Sequence, residues 1–209
     1  MVHLRRYQFI WHILRLIMRP FLRWKINYDA EICTEKGPLL VLCNHNTDWD
    51  PLLLGVAFPT YMSFVASEHI FRWGFAGRLI VWLMAPISRL KGKTAADTVM
   101  TVLRRLRKGV SVAMFAEGNR SFNGLTGPID PAAGKLARGC GASLVTYRLD
   151  GGYFTSPRWC GSRLRRGRMT GRVVHVYSPA ELKAMSADEV NAAIRHDLLR
   201  HPAAAGDRP

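Results

Sequence analysis

An α/β fold with a mixed, mostly parallel central sheet flanked by helices is predicted by three features of the chain. Apolar runs of strand length recur at Leu39 to Cys43, Tyr61 to Ala66 and Val110 to Phe115, with the composition of buried strands. Stretches with helical spacing of apolar residues lie between them. Two of the runs stop at clusters of polar residues, and in open α/β sheets ligands bind at such strand ends.

The elements follow in order. Arg5, Arg6, Arg15, Arg19, Arg23 and Lys25 are interleaved with Tyr7, Phe9, Ile10, Trp11, Ile13, Leu14, Leu16, Ile17, Met18, Phe21, Leu22 and Trp24, the composition of a basic amphipathic helix lying in a membrane interface. Arginines interrupt every apolar run before it reaches the roughly twenty residues needed to span a bilayer. No small-residue cleavage site follows, so neither a transmembrane helix nor a signal peptide is expected. The competing reading packs this helix on the protein's own core with a solvated basic face. Pro20 is expected to bend or divide it.

After the first strand, Asn46, Thr47 and Asp48 are good helix N-caps and Pro51 suits a first turn, so a helix is expected to start near Asp50. Arg72 to Leu83 reads as an aromatic-rich helix, either plain core or the lining of an apolar ligand groove. A helix from near Thr94 closes on Arg104, Arg105, Arg107 and Lys108, where cations favour a helix C-terminus. Leu144 to Arg148 and Arg172 to Val176 read as further strands. Arg158, Arg163, Arg165, Arg166, Arg168 and Arg172 form a basic cluster, a loop or hairpin beside the second of these strands, suited to anionic lipid headgroups or an acidic protein, or simply solvated. Ser186-Ala187-Asp188-Glu189 is a capping box opening a last helix through about Leu199. The expected organisation is an interface segment over 1–28, one domain over 29–200 and a frayed tail over 201–209.

With 209 residues and 48% apolar content, the chain can build one well-packed domain. Its four cysteines show no CxxC spacing and its seven histidines no metal-ligand pairing, so free thiols in a reducing cytosol and no metal are expected. A net charge of +15 calls for an anionic partner. Basic residues mixed with aromatic and aliphatic ones in the first segment favour an anionic phospholipid membrane. No nucleic-acid-binding signature accompanies the charge, so nucleic acid is the lesser alternative and is not expected.

Chemistry concentrates in two segments. Asn44-His45-Asn46-Thr47-Asp48-Trp49-Asp50 puts His45 and Asp50 across a strand-to-helix turn, where the carboxylate can hold one ring nitrogen while the other accepts a proton. The same spacing also suits a structural histidine capping the turn. No GxSxG elbow occurs, so the attacking hydroxyl belongs to a substrate and His45 acts as general base. Phe115-Ala116-Glu117-Gly118-Asn119-Arg120-Ser121 ends another strand. Arg120 offers a planar fork for a phosphate, Gly118 lets backbone approach a ligand, and Glu117 can accept from a polyol or fix Arg120. A hydrolase activating water with the same His/Asp pair is the rival chemistry.

These blocks, with Ala85-Pro86-Ile87-Ser88-Arg89 between them, resemble in the same order those of the lysophosphatidic acid acyltransferase family, the 1-acylglycerol-3-phosphate acyltransferases, within the wider glycerolipid acyltransferases. The resemblance spans roughly Gly37 to Leu149 and implies a glycerolipid acyltransferase-like fold. It implies His45 as catalytic base, Asp50 as its orienting partner, and Arg89, Glu117, Gly118, Asn119 and Arg120 as binding the acceptor. It further implies transfer of an acyl group from acyl-CoA or an acyl carrier protein to a lysophospholipid, at the cytoplasmic face of a membrane, with no cofactor beyond the thioester. The sequence departs from the family pattern at Ala116 and Asn119. Ser67 falls where many members carry a lysine that donates to the oxyanion, which leaves backbone N–H groups near Gly118 as the expected substitute.

Overall fold

The computed structural model describes residues 4–23, 26–27, 37–67, 74–89, 95–155, 159 and 169–199. Their strands are β1 (Ile26–Asn27), β2 (Leu39–Cys43), β3 (Met62–Ser67), β4 (Ile87–Arg89), β5 (Ser111–Phe115), β6 (Ser143–Asp150) and β7 (Met169–Tyr177), ordered β1-β7-β6-β2-β5-β3-β4 in one sheet. The helices are α1 (Leu4–Arg23), α2 (Asp50–Ala57), α3 (Gly74–Met84), α4 (Ala95–Arg107), α5 (Ala132–Gly139), α6 (Gly152–Thr155), α7 (Pro179–Ala184) and α8 (Ala187–Leu198).

Strands β6, β2, β5, β3 and β4 are parallel, and β7 runs antiparallel to β6 with β1 parallel to β7. The sheet is therefore mixed and mostly parallel, as the apolar runs predicted. Parallel neighbours need crossovers, which α2, α3, α4 and α5 supply. Because successive side chains point to opposite faces, β2 feeds two cores. Leu39, Val41 and Cys43 pack with Leu53, Leu54 and Val56 of α2, whereas Leu40 and Leu42 face Val102 and Leu106 of α4, Leu136 of α5 and Ile194 of α8. All five parallel strands end on one sheet edge, so β2 and β5 deliver Asn44 and Ala116 to the same place.

Helix α1 packs one face on the domain, as the competing reading of the N-terminal segment had it. Trp11 is buried, donates from Nε1 to the Phe58 carbonyl at 3.4 Å, and meets Tyr61 edge-on at 5.9 Å between ring centroids. Arg15 Nε donates to the Val56 carbonyl at 3.0 Å. On the other side Phe9, Leu16 and Ile17 are exposed. One face is thus docked on α2 and the other presents apolar side chains to the surroundings. The helix continues past Pro20 and is not divided there. No described helix is long and apolar enough to cross a membrane. In α3 the outward face is likewise not core, since Phe75, Leu79 and Trp82 are exposed and the Arg6 guanidinium stacks 4.1 Å from the Trp82 ring.

The docking of α1 depends on Gly55. A Cβ there would come within 2.5 and 2.9 Å of the Trp11 indole. Helix propensity alone favours Gly55→Ala by up to about 1 kcal/mol. Overpacking against Trp11 instead is expected to cost about 1–3 kcal/mol, read as a lower urea midpoint. A raised midpoint would show that α1 is not seated on α2.

Boundaries otherwise shift by one to three residues from the sequence reading. The capping box at Ser186 and Glu189 forms, and a second one at Ser178 and Glu181 opens α7, which the sequence reading passed over. Arg158, Arg163, Arg165, Arg166, Arg168, Lys91, Cys33, Cys160 and the tail over 201–209 lie outside the described residues.

Candidate active site

The turn from β2 into α2 folds around a single carboxylate. Asp50 is fully buried and accepts from His45 Nδ1 at 2.9 Å, the backbone N–H groups of Asn46 at 2.5 Å and Thr47 at 2.8 Å, and Thr47 Oγ1 at 2.9 Å. A carboxylate is an acceptor-only group, and four donors converge on this one. With Nδ1–H directed to Asp50, the His45 tautomer leaves the lone pair on Nε2. The ring lies flat on Phe115, with centroids 3.9 Å apart and planes 13° from parallel. Imidazole orientation is therefore fixed along an edge by Asp50 and across a face by Phe115.

The expected side-chain caps do not form. Trp49 occupies the N-cap of α2 without a side-chain cap. Thr47 Oγ1 accepts instead from the Trp49 N–H at 3.0 Å, and Asp50 points back into the turn rather than along the helix. The hydroxyl and carboxylate that could have capped α2 organise His45.

The segment after β5 clasps this turn. The Ala116 N–H donates to the Cys43 carbonyl at 2.9 Å and the Ser121 N–H to the His45 carbonyl at 2.7 Å. Glu117 takes one backbone donor on each oxygen, His45 N–H at 2.9 Å on Oε1 and Gly127 N–H at 2.7 Å on Oε2. Neither expected role, holding Arg120 or facing a polyol, matches these bonds. Arg120 pairs through Nη1 with Asp48 Oδ2 at 2.5 Å, both side chains being partly exposed. Burial raises the Glu117 carboxyl above its ordinary value, with the Gly127 and His45 N–H groups opposing.

Gly118 adopts φ 68°, a left-handed conformation that favours glycine and lets the chain double back from β5. Its own N–H donates to the Phe115 carbonyl at 3.0 Å, so it is committed to the turn rather than directed at a ligand. Gly118 and Asn119 are exposed on the same turn as Arg120. Arg89 closes β4 opposite Ser67 of β3, on the same sheet edge. Two strand spacings separate β4 from β5, roughly 10 Å. The side chains of Arg89 and Ser67 lie outside the described residues.

Several contributors were not singled out from the sequence. Asn44 bridges to β6 in both directions, with Nδ2 donating to the Leu149 carbonyl at 2.7 Å and Oδ1 accepting from the Leu149 N–H at 2.7 Å. Asn46 Nδ2 donates to the same carbonyl at 3.1 Å. Gly152, opening α6, sits where a Cβ would meet Thr47 Cγ2 at 2.8 Å and Asn46 Cβ at 3.0 Å. The signals were present in the Asn44 and Asp48 positions of the first segment and in the Gly151-Gly152 pair after β6. Cys43 packs inward as expected, and burial pushes its thiol well up, which suits an inert core residue.

A family model described as Acyltransferase matches residues 25–150, more than half of the chain and the whole of the segment from β1 to the end of β6. A chloroplastic 1-acyl-sn-glycerol-3-phosphate acyltransferase of Brassica napus is 26% identical over 137 residues, 63% of this chain and 38% of that protein. A 1-acyl-sn-glycerol-3-phosphate acyltransferase of Borreliella burgdorferi is 26% identical over 121 residues, 57% of this chain and 48% of that protein. The chain thus spans less than half the length of these curated relatives. The crystal structure of the 1-acyl-sn-glycerophosphate acyltransferase PlsC from Thermotoga maritima shares the fold, with a TM-score of 0.71 at 14% identity, covering 91% of this chain and 77% of that one. With the His45/Asp50 turn and the Glu117 to Arg120 segment both inside the matched region, the chain belongs to the acyltransferase family.

Proposed function

We propose that the protein transfers an acyl group from a thioester, acyl-CoA or an acyl carrier protein, to the free hydroxyl of a lysophospholipid, with 1-acylglycerol-3-phosphate as acceptor and phosphatidic acid as product. The observation that carries this reading is the His45 Nδ1 to Asp50 contact of 2.9 Å at a strand end, joined by backbone bonds to the loop that bears Arg120. An imidazole held in one tautomer, bonded through its own backbone to the loop that carries a partly exposed guanidinium, suits an alcohol that also carries a phosphate.

His45 Nε2 takes the proton of the acceptor hydroxyl as its oxygen attacks the thioester carbonyl carbon. The C–O bond forms and the carbonyl electron pair moves onto oxygen. The tetrahedral intermediate then re-forms the carbonyl and expels the thiolate, which receives the proton from Nε2. Asp50 holds the imidazolium between these steps. Arg120 and Arg89 take the acceptor phosphate. The exposed apolar faces of α1 and α3 support a peripheral or monotopic position on a membrane, which we place at its cytoplasmic face.

The test is a transfer assay on a panel of lysolipid acceptors with both thioester donors, products identified by mass spectrometry. Thioester cleavage at the same rate with and without acceptor would replace this reading by a hydrolase. Within it, Arg120→Ala is expected to raise the acceptor KM about tenfold or more with kcat changed only a few-fold. Because Asp48 already occupies Nη1, Asp48→Asn is expected to lower that KM a few-fold. An acceptor KM indifferent to Arg120 would remove the phosphate clamp.

A further inference from the structure

We propose that the loop 121–127 and helix α6 form an apolar lip beside the candidate site that inserts into an anionic lipid surface, a second lipid contact separate from α1. The proposal rests on the lysolipid reading above for its purpose, but its geometry stands apart from that reading. Three large apolar side chains point outward there, Phe122 with 68% of its surface exposed, Leu125 with 58% and Phe154 with 60%. Single exposed apolar residues are ordinary, whereas a group of them rimmed by polar residues marks an interaction surface.

The two elements touch. Gly124 lies so close to Tyr153 that a Cβ on it would come within 2.6 Å of the ring, and Tyr153 meets Phe154 edge-on at 5.6 Å. The loop is also built rather than slack. Ser121 Oγ donates to the Leu125 carbonyl at 2.7 Å, and Asn123 Oδ1 accepts from the Leu125 N–H at 3.1 Å. Its two ends are fixed, Ser121 N–H on the His45 carbonyl at 2.7 Å and Thr126 Oγ1 on the Leu198 carbonyl at 2.8 Å. Polar groups close the loop inward and the apolar tips are left outside, an arrangement whose ordering cost is met before any partner arrives.

Charge selects the partner. A second copy of this chain carries the same +15 and is repelled, while an anionic bilayer is attracted to it. Phe122 stands two residues from Arg120, so lipid that takes up the lip presents its headgroups at the edge where β2 and β5 end. The site then draws a lysolipid from the bilayer without the acceptor crossing water.

The triple variant Phe122→Ser/Leu125→Ser/Phe154→Ser tests this, with the single Leu125→Ser as a milder companion and the thermal midpoint as a check on folding. Binding to mixed phosphatidylcholine and phosphatidylglycerol vesicles, measured by sedimentation, is expected to fall about tenfold or more in the triple variant. Transfer to vesicle-embedded acceptor should fall in parallel, while transfer to a monomeric short-chain acceptor stays within about twofold. Unchanged vesicle binding would overturn the lip. So would an equal loss on both acceptors, or a loss seen only with a carrier-protein donor, which would make the partner a protein. If the unaltered protein transfers to no acceptor at all, the lysolipid reading fails while vesicle binding still decides the lip.

Discussion

Replacing His45 by alanine is expected to lower turnover by about three to four orders of magnitude, the range attached to a general base that must both take and return a proton. Folding should survive, because the ring is partly exposed and its removal leaves the Asp50 carboxylate still bonded to the Asn46 and Thr47 N–H groups and to Thr47 Oγ1. Asp50→Asn should resemble it in turnover and exceed it in instability. His45 Nδ1 and the Asn46 and Thr47 N–H groups share Oδ2 while Thr47 Oγ1 takes Oδ1, so an amide that keeps its oxygen on the three N–H groups turns its NH2 on the Thr47 hydroxyl and loses the charge that strengthened all four bonds, at a cost of about 1–3 kcal/mol. Steady-state transfer, thermal unfolding and vesicle binding measured on both variants separate the two effects. Transfer by the alanine variant within tenfold of the parent would end the assignment of His45 as base.

Much of this site was legible because its two halves are local. His45 and Asp50 lie on one tight turn, and a strand of five apolar residues followed by good turn formers fixes where that turn falls. Strand order was legible only in kind. That β2 sits between β5 and β6 follows from crossovers that sequence periodicity does not encode, and the antiparallel β7 gave no local sign of its direction. The partners of charged groups were the least visible. Glu117 and Arg120 are three apart and read as a pair, yet the positive φ of Gly118 turns the chain between them, sending Glu117 to backbone donors and Arg120 to Asp48 across the gap. The N-terminal segment was under-determined for a different reason. Membrane lying and core docking ask for the same amphipathic pattern, and α1 satisfies one with Trp11 and leaves the other open with Leu16 and Ile17.

Glu117→Gln separates positioning from binding. In the structure Glu117 supports the His45 backbone and the Gly127 backbone at once, with one oxygen for each N–H. A glutamine keeps one acceptor and turns its NH2 against the other backbone donor, so one N–H is orphaned or the loop shifts. The loss of one charge-assisted bond and the orphaned donor together are worth about 1.5–3 kcal/mol, or about 10- to 100-fold if expressed in the placement of His45. A positioning residue predicts that this loss appears in kcat with the acceptor KM little changed, whereas direct contact with the acceptor predicts a raised KM. Burial adds a signature in pH. It raises the folded-state carboxyl above its unfolded value, so between the two the native chain holds more protons than the unfolded one, and stability falls as pH climbs through that window. Glutamine does not titrate and should remove this part of the slope in thermal or urea unfolding from the ordinary carboxylate range upward. A glutamine variant with normal kcat, raised KM and the parent's slope would assign Glu117 to the acceptor instead of to His45.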